Sequence, residues 1–365
     1  MDNLVTSNIR QRPIRTLVSV AGIALGVSLV MLFTGLARGM SNDLQRRAGN
    51  VRYELMFMRP GSVQLTSMTA NLDTRYVDRL KAIDGVEEAL PVYRHIYQGS
   101  KGFGFEQIDG LDWTAYSRMN GLSIVEGRGP QDAKEVVIDQ TKARNNNLRV
   151  GDFIKPIGTD DYSVVGIYAP ESGARVKMTL PMLQKANEVE GKCTFIFLKL
   201  RNADQIDEMA ARINQELPGN LIQPTRDVFT SFEKSIPYLG VFLRVLVGLA
   251  AVVSALVVML AMYTTITERT REIGILKAMG ASRAYIVGVI EKEAILISFI
   301  GLIAGFILSV IAGYLIQRTY GLIFEYSWQW ALVAAAIGLV GGILGALYPA
   351  WRASNLDAVN ALAYE

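Results

Sequence analysis

One histidine and one cysteine are the whole stock of imidazole and thiol chemistry in these 365 residues. His95 sits in the alternating stretch 92–98 and reads as a strand residue. Cys193 reads as a buried thiol, with no partner for a disulfide and no second sulfur for a thiolate metal site. The acid pairs Asp109/Asp112 and Asp160/Asp161 have a spacing that two-carboxylate chemistry uses, but nothing around them builds a cleft, and they read as solvated loop acids. Gly102-Phe-Gly104 and Gly127-Arg-Gly129 do not follow a strand and open a helix, so they read as turns rather than phosphate cradles. No Gly-x-x-x-x-Gly-Lys-Ser/Thr stretch is present, so these residues contain no ATP loop of that kind. The expectation is a non-catalytic chain with no catalytic, metal or cofactor-binding residues of its own.

What remains is the chemistry of recognition, concentrated in residues 268–283. Glu268, Arg269, Arg271, Glu272, Lys277 and Arg283 crowd into sixteen residues between two apolar runs. Ile273, Leu276 and Met279 recur at helical spacing while Glu268, Arg269 and Glu272 fall on other faces. Gly274 and Gly280 permit close backbone approach or end the helix. A short charged helix held at both ends by membrane spans is placed to receive a push from a protein outside the bilayer. An interfacial helix whose positive charges only set topology would look the same, and the residues alone leave both readings open.

Several elements must hold this connector in place. Half the residues are hydrophobic and 19% are charged, a balance that points to a membrane protein. The net charge of +3 comes from interleaved acids and bases, which carries no nucleic-acid signal. Four uncharged runs of about 22 to 26 residues lie between Arg15 and Arg38, Arg244 and Glu268, Glu293 and Arg318, and Glu325 and Arg352, each long enough for a ~30 Å hydrocarbon core. The first is too long for the apolar core of a signal peptide. Four transmembrane helices follow, at 16–37, 237–267, 284–318 and 327–351, with Trp328, Trp330, Tyr348 and Trp351 as interfacial anchors of the last. Arg10, Arg12 and Arg15 place the N-terminus, 1–15, in the cytoplasm. Parity then puts 38–236 outside, the 268–283 connector inside, a short loop at 319–326 outside, and 352–365 inside.

The outer region alternates strand and helix patterns. Strands are expected at 51–58, 91–98, 194–200 and 221–223, with helices at 73–83 and from Asp204 as cap through Ile206, Met209, Ile213 and Leu217. Two β-α-β units with a mostly β insertion at about 100–190 make an α+β extracytoplasmic domain between the first and second spans. Within the spans, small residues recur at fourfold spacing: Gly22/Gly26, Gly301/Gly305, Gly338/Gly342 and Gly341/Gly345. Such faces let helices approach closely in lipid, within one subunit or across a dimer. No charge lies deep in a span, which argues against an ion relay.

The layout and two motifs resemble the permease subunits of MacB/FtsX-type ABC systems, which include the LolC/LolE lipoprotein-release and DevC glycolipid-export permeases. The carrying residues are Glu268, Arg269, Glu272, Ile273, Gly274, Leu276, Lys277, Ala278, Gly280, Ala281 and Ser282, similar to that family's coupling segment. A second stretch, Tyr348-Pro349-Ala350-Trp351-Arg352-Ala353, closes the fourth span. Ala358 stands where the family usually has proline.

The resemblance implies a permease homodimer or heterodimer in the bacterial inner membrane, joined to two separately encoded ATPase subunits that hold ATP and magnesium. It implies motion passed from ATPase to periplasmic domain (mechanotransmission), for export or extraction of a lipoprotein, lipid, peptide or drug. A periplasmic adaptor and an outer-membrane duct would join such an exporter. The alternative within the resemblance is an FtsX-like complex that regulates a periplasmic cell-wall hydrolase. Glu268, Arg269, Glu272 and Lys277 are implied as polar ATPase contacts, with Ile273, Leu276 and Met279 seating the helix.

Overall fold

The computed structural model describes residues 13–62, 68–98, 105–131, 134–227, 237–268 and 270–355. The chain forms two compact units: a helical one, and one built mostly from residues 40–236. Helix α1 (Pro13–Gly49) contributes to both, its residues from Met40 onward counting with the second. At 1.5 Å per residue its 37 residues extend about 55 Å, well beyond a ~30 Å hydrocarbon core.

The second unit is organised by one sheet. Strand β1 (Leu55–Met58) is followed by β2 (Leu72–Asp73), helix α2 (Tyr76–Lys81) and β3 (Val86–Gln98). The insertion then gives β4 (Phe105–Leu111), α3 (Trp113–Asn120), β5 (Ser123–Gly127), β6 (Glu135–Asp139), α4 (Gln140–Asn146), β7 (Phe153–Ile154), β8 (Tyr162–Ala169), β9 (Val176–Thr179) and α5 (Leu180–Ala186). Strands β10 (Lys192–Cys193) and β11 (Phe195–Leu200), helix α6 (Ile206–Glu216) and β12 (Leu221–Pro224) complete it. The sheet order is β12-β1-β11-β3-β4-β9-β6-β8-β5, with β7 on the edge of β8.

Its first four strands form two interlocked split β-α-β units, antiparallel throughout. β3 is the seam: residues from Val86 to Val92 pair with β11, and residues from Tyr93 to Gln98 pair with β4. β11 shows why the central strands read as unbroken apolar runs. Phe195 and Phe197 enter one buried cluster, while Ile196, Leu198 and Leu200 enter another on the opposite face. β1 divides likewise, Met56 and Met58 to the first cluster and Leu55 and Phe57 to the second.

Several boundaries differ from the sequence expectation. The strand expected at 51–58 begins only at Leu55, and the helix expected at 73–83 is Tyr76–Lys81. Asp204 is not a helix cap: Asn202 accepts from the Asp204 amide (3.0 Å) and opens a 3-10 turn ahead of α6. The insertion carries three short helices beside its strands. Two of them start on carboxylate caps, Asp112 accepting from Ala115 N and Asp139 from Lys142 N.

The helical unit takes α1 as far as Gly39 and adds α7 (Pro237–Glu268), α8 (Thr270–Ala278), most of α9 (Arg283–Tyr320) and α10 (Trp328–Ser354). Among the described residues three helices, α1, α9 and α10, are long and apolar enough to cross a membrane, and α7 carries a shorter apolar stretch, Arg244–Leu260. The interior is a cluster of Ile23, Val27, Val258, Ile290, Ala294, Ile297, Ala346 and Ala350 among others. The outward side is just as apolar: Val245, Leu249, Leu256 and Leu260 on α7 and Ile303, Ile307, Val310 and Tyr314 on α9 are exposed. Helices apolar all round are what lipid contact selects.

Candidate coupling surface

The connector folds as a helix, α8, with a defined stop. Near its start, the Thr267 hydroxyl donates to Thr264 O (2.9 Å) and the Thr270 hydroxyl to Ile266 O and Thr267 O (both 3.0 Å). At its end Ala281 N donates to Leu276 O (3.0 Å) and Gly280 N to Lys277 O (2.9 Å), with Gly280 at φ +88°. This is a Schellman stop, and the left-handed φ explains the glycine at 280. Ser282 then caps α9, its hydroxyl accepting from Tyr285 N (3.2 Å).

One side of α8 is locked into its own unit. Ile273 is buried in the helical core, and Gly274 is buried beside it in sequence. Leu276 and Lys277 are half-buried. Lys277 Nζ donates to Ser354 O (2.9 Å) at the end of α10, where the helix dipole favours a cation. Nearby in sequence, the Arg352 guanidinium lies 5.2 Å over the ring of Tyr263, joining the ends of α10 and α7. The other side is open: Arg271, Ile275, Ala278, Met279, Gly280, Ser282 and Arg283 are exposed, Met279 at 71%. Ile275 and Met279 stand one turn apart and make an apolar ridge with Arg271 a turn before it. Of the expected contact residues, Ile273 thus faces inward and Met279 outward. Ile275, outside the expected set, is exposed on the same side, at i, i+4 spacing to Arg271 and Met279. Arg269 and the side chains of Glu268 and Glu272 lie outside the described residues.

The small-residue faces pack within this one chain. A methyl group at Gly22 would strike Val257. One at Gly301 would lie 2.8 Å from Ile23 Cβ, and one at Gly305 2.8 Å from Ala24 O. Gly338 faces Val27 (3.2 Å), Gly342 meets Ser298, and Gly345 presses on the Ala255 carbonyl. Gly26 is buried and lines an apolar groove with Gly22, Leu249 and Val253.

The inserted domain holds a second polar constellation. Asp109 is not a solvated loop acid: it is fully buried in β4, and Arg94 grips both its oxygens at 2.6 and 2.8 Å. Asp112 caps α3, while Asp160 and Asp161 are exposed and lie near Lys134 and Lys155. Lys177 of β9 is also fully buried, donating to Tyr168 Oη (2.7 Å), Ser172 O (2.7 Å) and Ala174 O (2.5 Å), with its ammonium 4.6 Å over the Tyr168 ring. Burial pushes that ammonium down to about 7, against the pull of Asp109 and Asp139. Asp139 is raised by burial against the pull of Arg175. His95 lies in β3 as expected, its ring 6.3 Å from that of Tyr93 and inclined 67° to it, and Cys193 is buried and free, its thiol pushed up to about 12. Of the two glycine pairs, Gly127 ends β5, and 102–104 lies outside the described residues. Among the described residues no group of His, Cys, Asp or Glu could hold a metal ion.

Two family models divide the chain at these same features. Residues 16–216 match the MacB-like periplasmic core domain, and residues 244–358, which include the connector, match the FtsX-like permease C-terminal region. The chain belongs to the MacB/FtsX-type permeases of ABC transporters. Among its relatives is the macrolide export ATP-binding/permease protein MacB of Escherichia coli, 26% identical over 96% of this chain and 58% of that one. An ABC transporter permease of Methanocaldococcus jannaschii is 24% identical over 99% of this chain and 98% of its own length. A crystal structure of the periplasmic region of MacB from Actinobacillus actinomycetemcomitans aligns with 52% of the chain at 14% identity, with a TM-score of 0.38.

Proposed function

We propose that this chain is the membrane subunit of an ABC transporter whose connector α8 docks on a partner ATPase, holding ATP and magnesium, and relays its motion to the inserted domain. The observation that carries the reading is the two-sided character of α8. Its inner side is fastened to the helical unit through Ile273 and Lys277, while its outer side presents Ile275 and Met279 beside Arg271. A lever needs both an anchored side and a free one. α7 serves as the fourth span in this reading, so both termini and α8 share the ATPase side of the bacterial inner membrane and the inserted domain lies in the periplasm. Two permease chains, identical or related, engage two ATPase subunits, with an adaptor and an outer-membrane duct joining for export. The work is export or extraction of an amphipathic substrate. The match of residues 16–216 to the MacB-like core supports that branch over hydrolase regulation.

The test is co-purification of the ATPase in mild detergent. Ile275→Asp with Met279→Asp is expected to lower recovery of the ATPase more than tenfold while the chain still inserts into the membrane. Glu272→Ala with Lys277→Ala is expected to weaken it as well. Unchanged recovery and unchanged ATP hydrolysis in both variants would sink the assignment.

A further inference from the structure

The end of α1 is seated in a socket of the inserted domain. Asp43, Arg47 and Asn50 recur at helical spacing, and all three reach the turn 171–175 between β8 and β9. Asp43 pairs with Arg175 and stands 3.1 Å from its helix neighbour Arg47. Arg47 Nη1 donates to Gly173 O (3.0 Å), Asn50 Nδ2 donates to Glu171 O (2.8 Å), and Ser172 Oγ donates back to Asn50 O (3.2 Å).

The far side of the turn is fastened just as closely. Lys177 Nζ donates to Ser172 O and Ala174 O, Tyr168 Oη donates to Ala174 O (3.0 Å), and Asp139 N donates to Arg175 O (3.0 Å). Five consecutive carbonyls are therefore engaged. Those of Glu171 and Gly173 take donors from the helix; those of Ser172, Ala174 and Arg175 take donors from the strands beneath. Arg175 itself bridges Asp43 and Asp139, the latter at 2.8 Å. A surface turn would leave such carbonyls to water, and a helix that only tethered the domain would not need them.

We infer that Asp43, Arg47 and Asn50 with the turn 171–175 are a clasp that makes the end of α1 one mechanical body with the insertion strands β4, β6, β8 and β9. Displacement of α1 enters the domain through the insertion, although the chain itself continues from α1 into β1. Arg175 and Asn50 are positioning residues. Buried ion pairs suit this role because a shift that parts Asp43 from Arg175 leaves charges without partners in a low-dielectric site. The inference rests on the coupling function proposed above.

The experiment uses the full chain with its co-purified ATPase and two spin-label pairs. Met40 with Val125 reads the clasp, and Val125 with Tyr314 reads movement of the domain when ATP and magnesium are added. The parent complex is expected to keep a sharp, nucleotide-independent first distance and to show a shift in the second. Asp43→Ala with Asn50→Ala leaves the Arg175–Asp139 pair in place. It is expected to broaden the first distance and lose most of the second shift while ATP hydrolysis continues, and Asp43→Glu is expected to restore both. Should that double variant fail to fold, Arg47→Gln is scored on the same two pairs. A sharp first distance and an intact second shift in the variant overturn the clasp and leave the coupling function standing. An absent second shift in the parent complex overturns both.

Discussion

In the helical unit close junctions are made at glycines, Gly22 against Val257, Gly301 against Ile23, Gly305 against Ala24 and Gly345 against Ala255. The inserted domain has close glycines too, Gly127 against the Val165 carbonyl and Gly166 against that of Arg128, but it adds buried junctions of long charged groups, Arg94 with Asp109 and Arg175 with both Asp139 and Asp43. The surroundings explain the difference. Lipid tails are as apolar as leucine, so helices gain little by hiding apolar surface and associate by close packing of small residues. A water-exposed domain gains by burying apolar surface, and any charge carried inside must arrive with its partner. The helical unit leans on small residues and the inserted domain adds buried ion pairs, and each kind of junction has its own point of failure.

The largest effect is expected from filling a glycine junction. Gly345→Leu forces α10 off the Ala255 carbonyl, which cannot move as a side-chain tip would. Loss of the monodisperse chain on size-exclusion in detergent is expected. Gly248→Leu, which projects into open space, should elute like the parent and serves as control. Equal behaviour of the two would break the packing half of the comparison.

Next comes removal of one partner of a buried pair. Asp109→Ala leaves the Arg94 guanidinium buried without its carboxylate, expected to cost about 3–5 kcal/mol in unfolding of the inserted domain. Asp161→Ala, at an exposed pair, should stay within about 0.5 kcal/mol. Denaturant unfolding measures both, and a small loss for Asp109→Ala would break the charged half.

Within any one pH unit the smallest effect is a pH dependence. Lys177 sits near 7 when folded, against 10.5 for a free lysine. Below pH 7 both states hold the proton and the cost of burial is borne in full. Between pH 7 and about 10.5 the unfolded chain holds more protons than the folded one, so stability from this group rises with pH, by at most about 1.4 kcal/mol per unit. Lys177→Met is expected to flatten that rise in thermal unfolding curves. A parent profile with no rise relative to the variant would remove Lys177 from the account.

Much of this was legible in the residues. The apolar runs, the apolar strand β11 and the 206–217 stripe are local patterns, and local pattern reports local structure. The connector helix α8 was legible for the same reason: its charges, its spacing and the glycine at 280 lie within sixteen residues. Asp109 was misread because its partner Arg94 meets it across two paired strands, and burial of a carboxylate leaves no mark on its neighbours in sequence. The capping role of Asn202 was lost because Asp204 has equal standing as a cap when only residue type is considered.

The membrane character of the chain, the inserted α+β domain and the helical connector are all written residue by residue, as hydrophobic length and period. Only the tertiary structure decided the interlocked strand order, the division of β3 between two partners, the intrachain use of the glycine faces and the seat of Asp43 beside Arg175. Each of these joins residues far apart in the chain, Asp43 and Arg175 by 132 positions, and such pairings are selected by the packing of the whole domain.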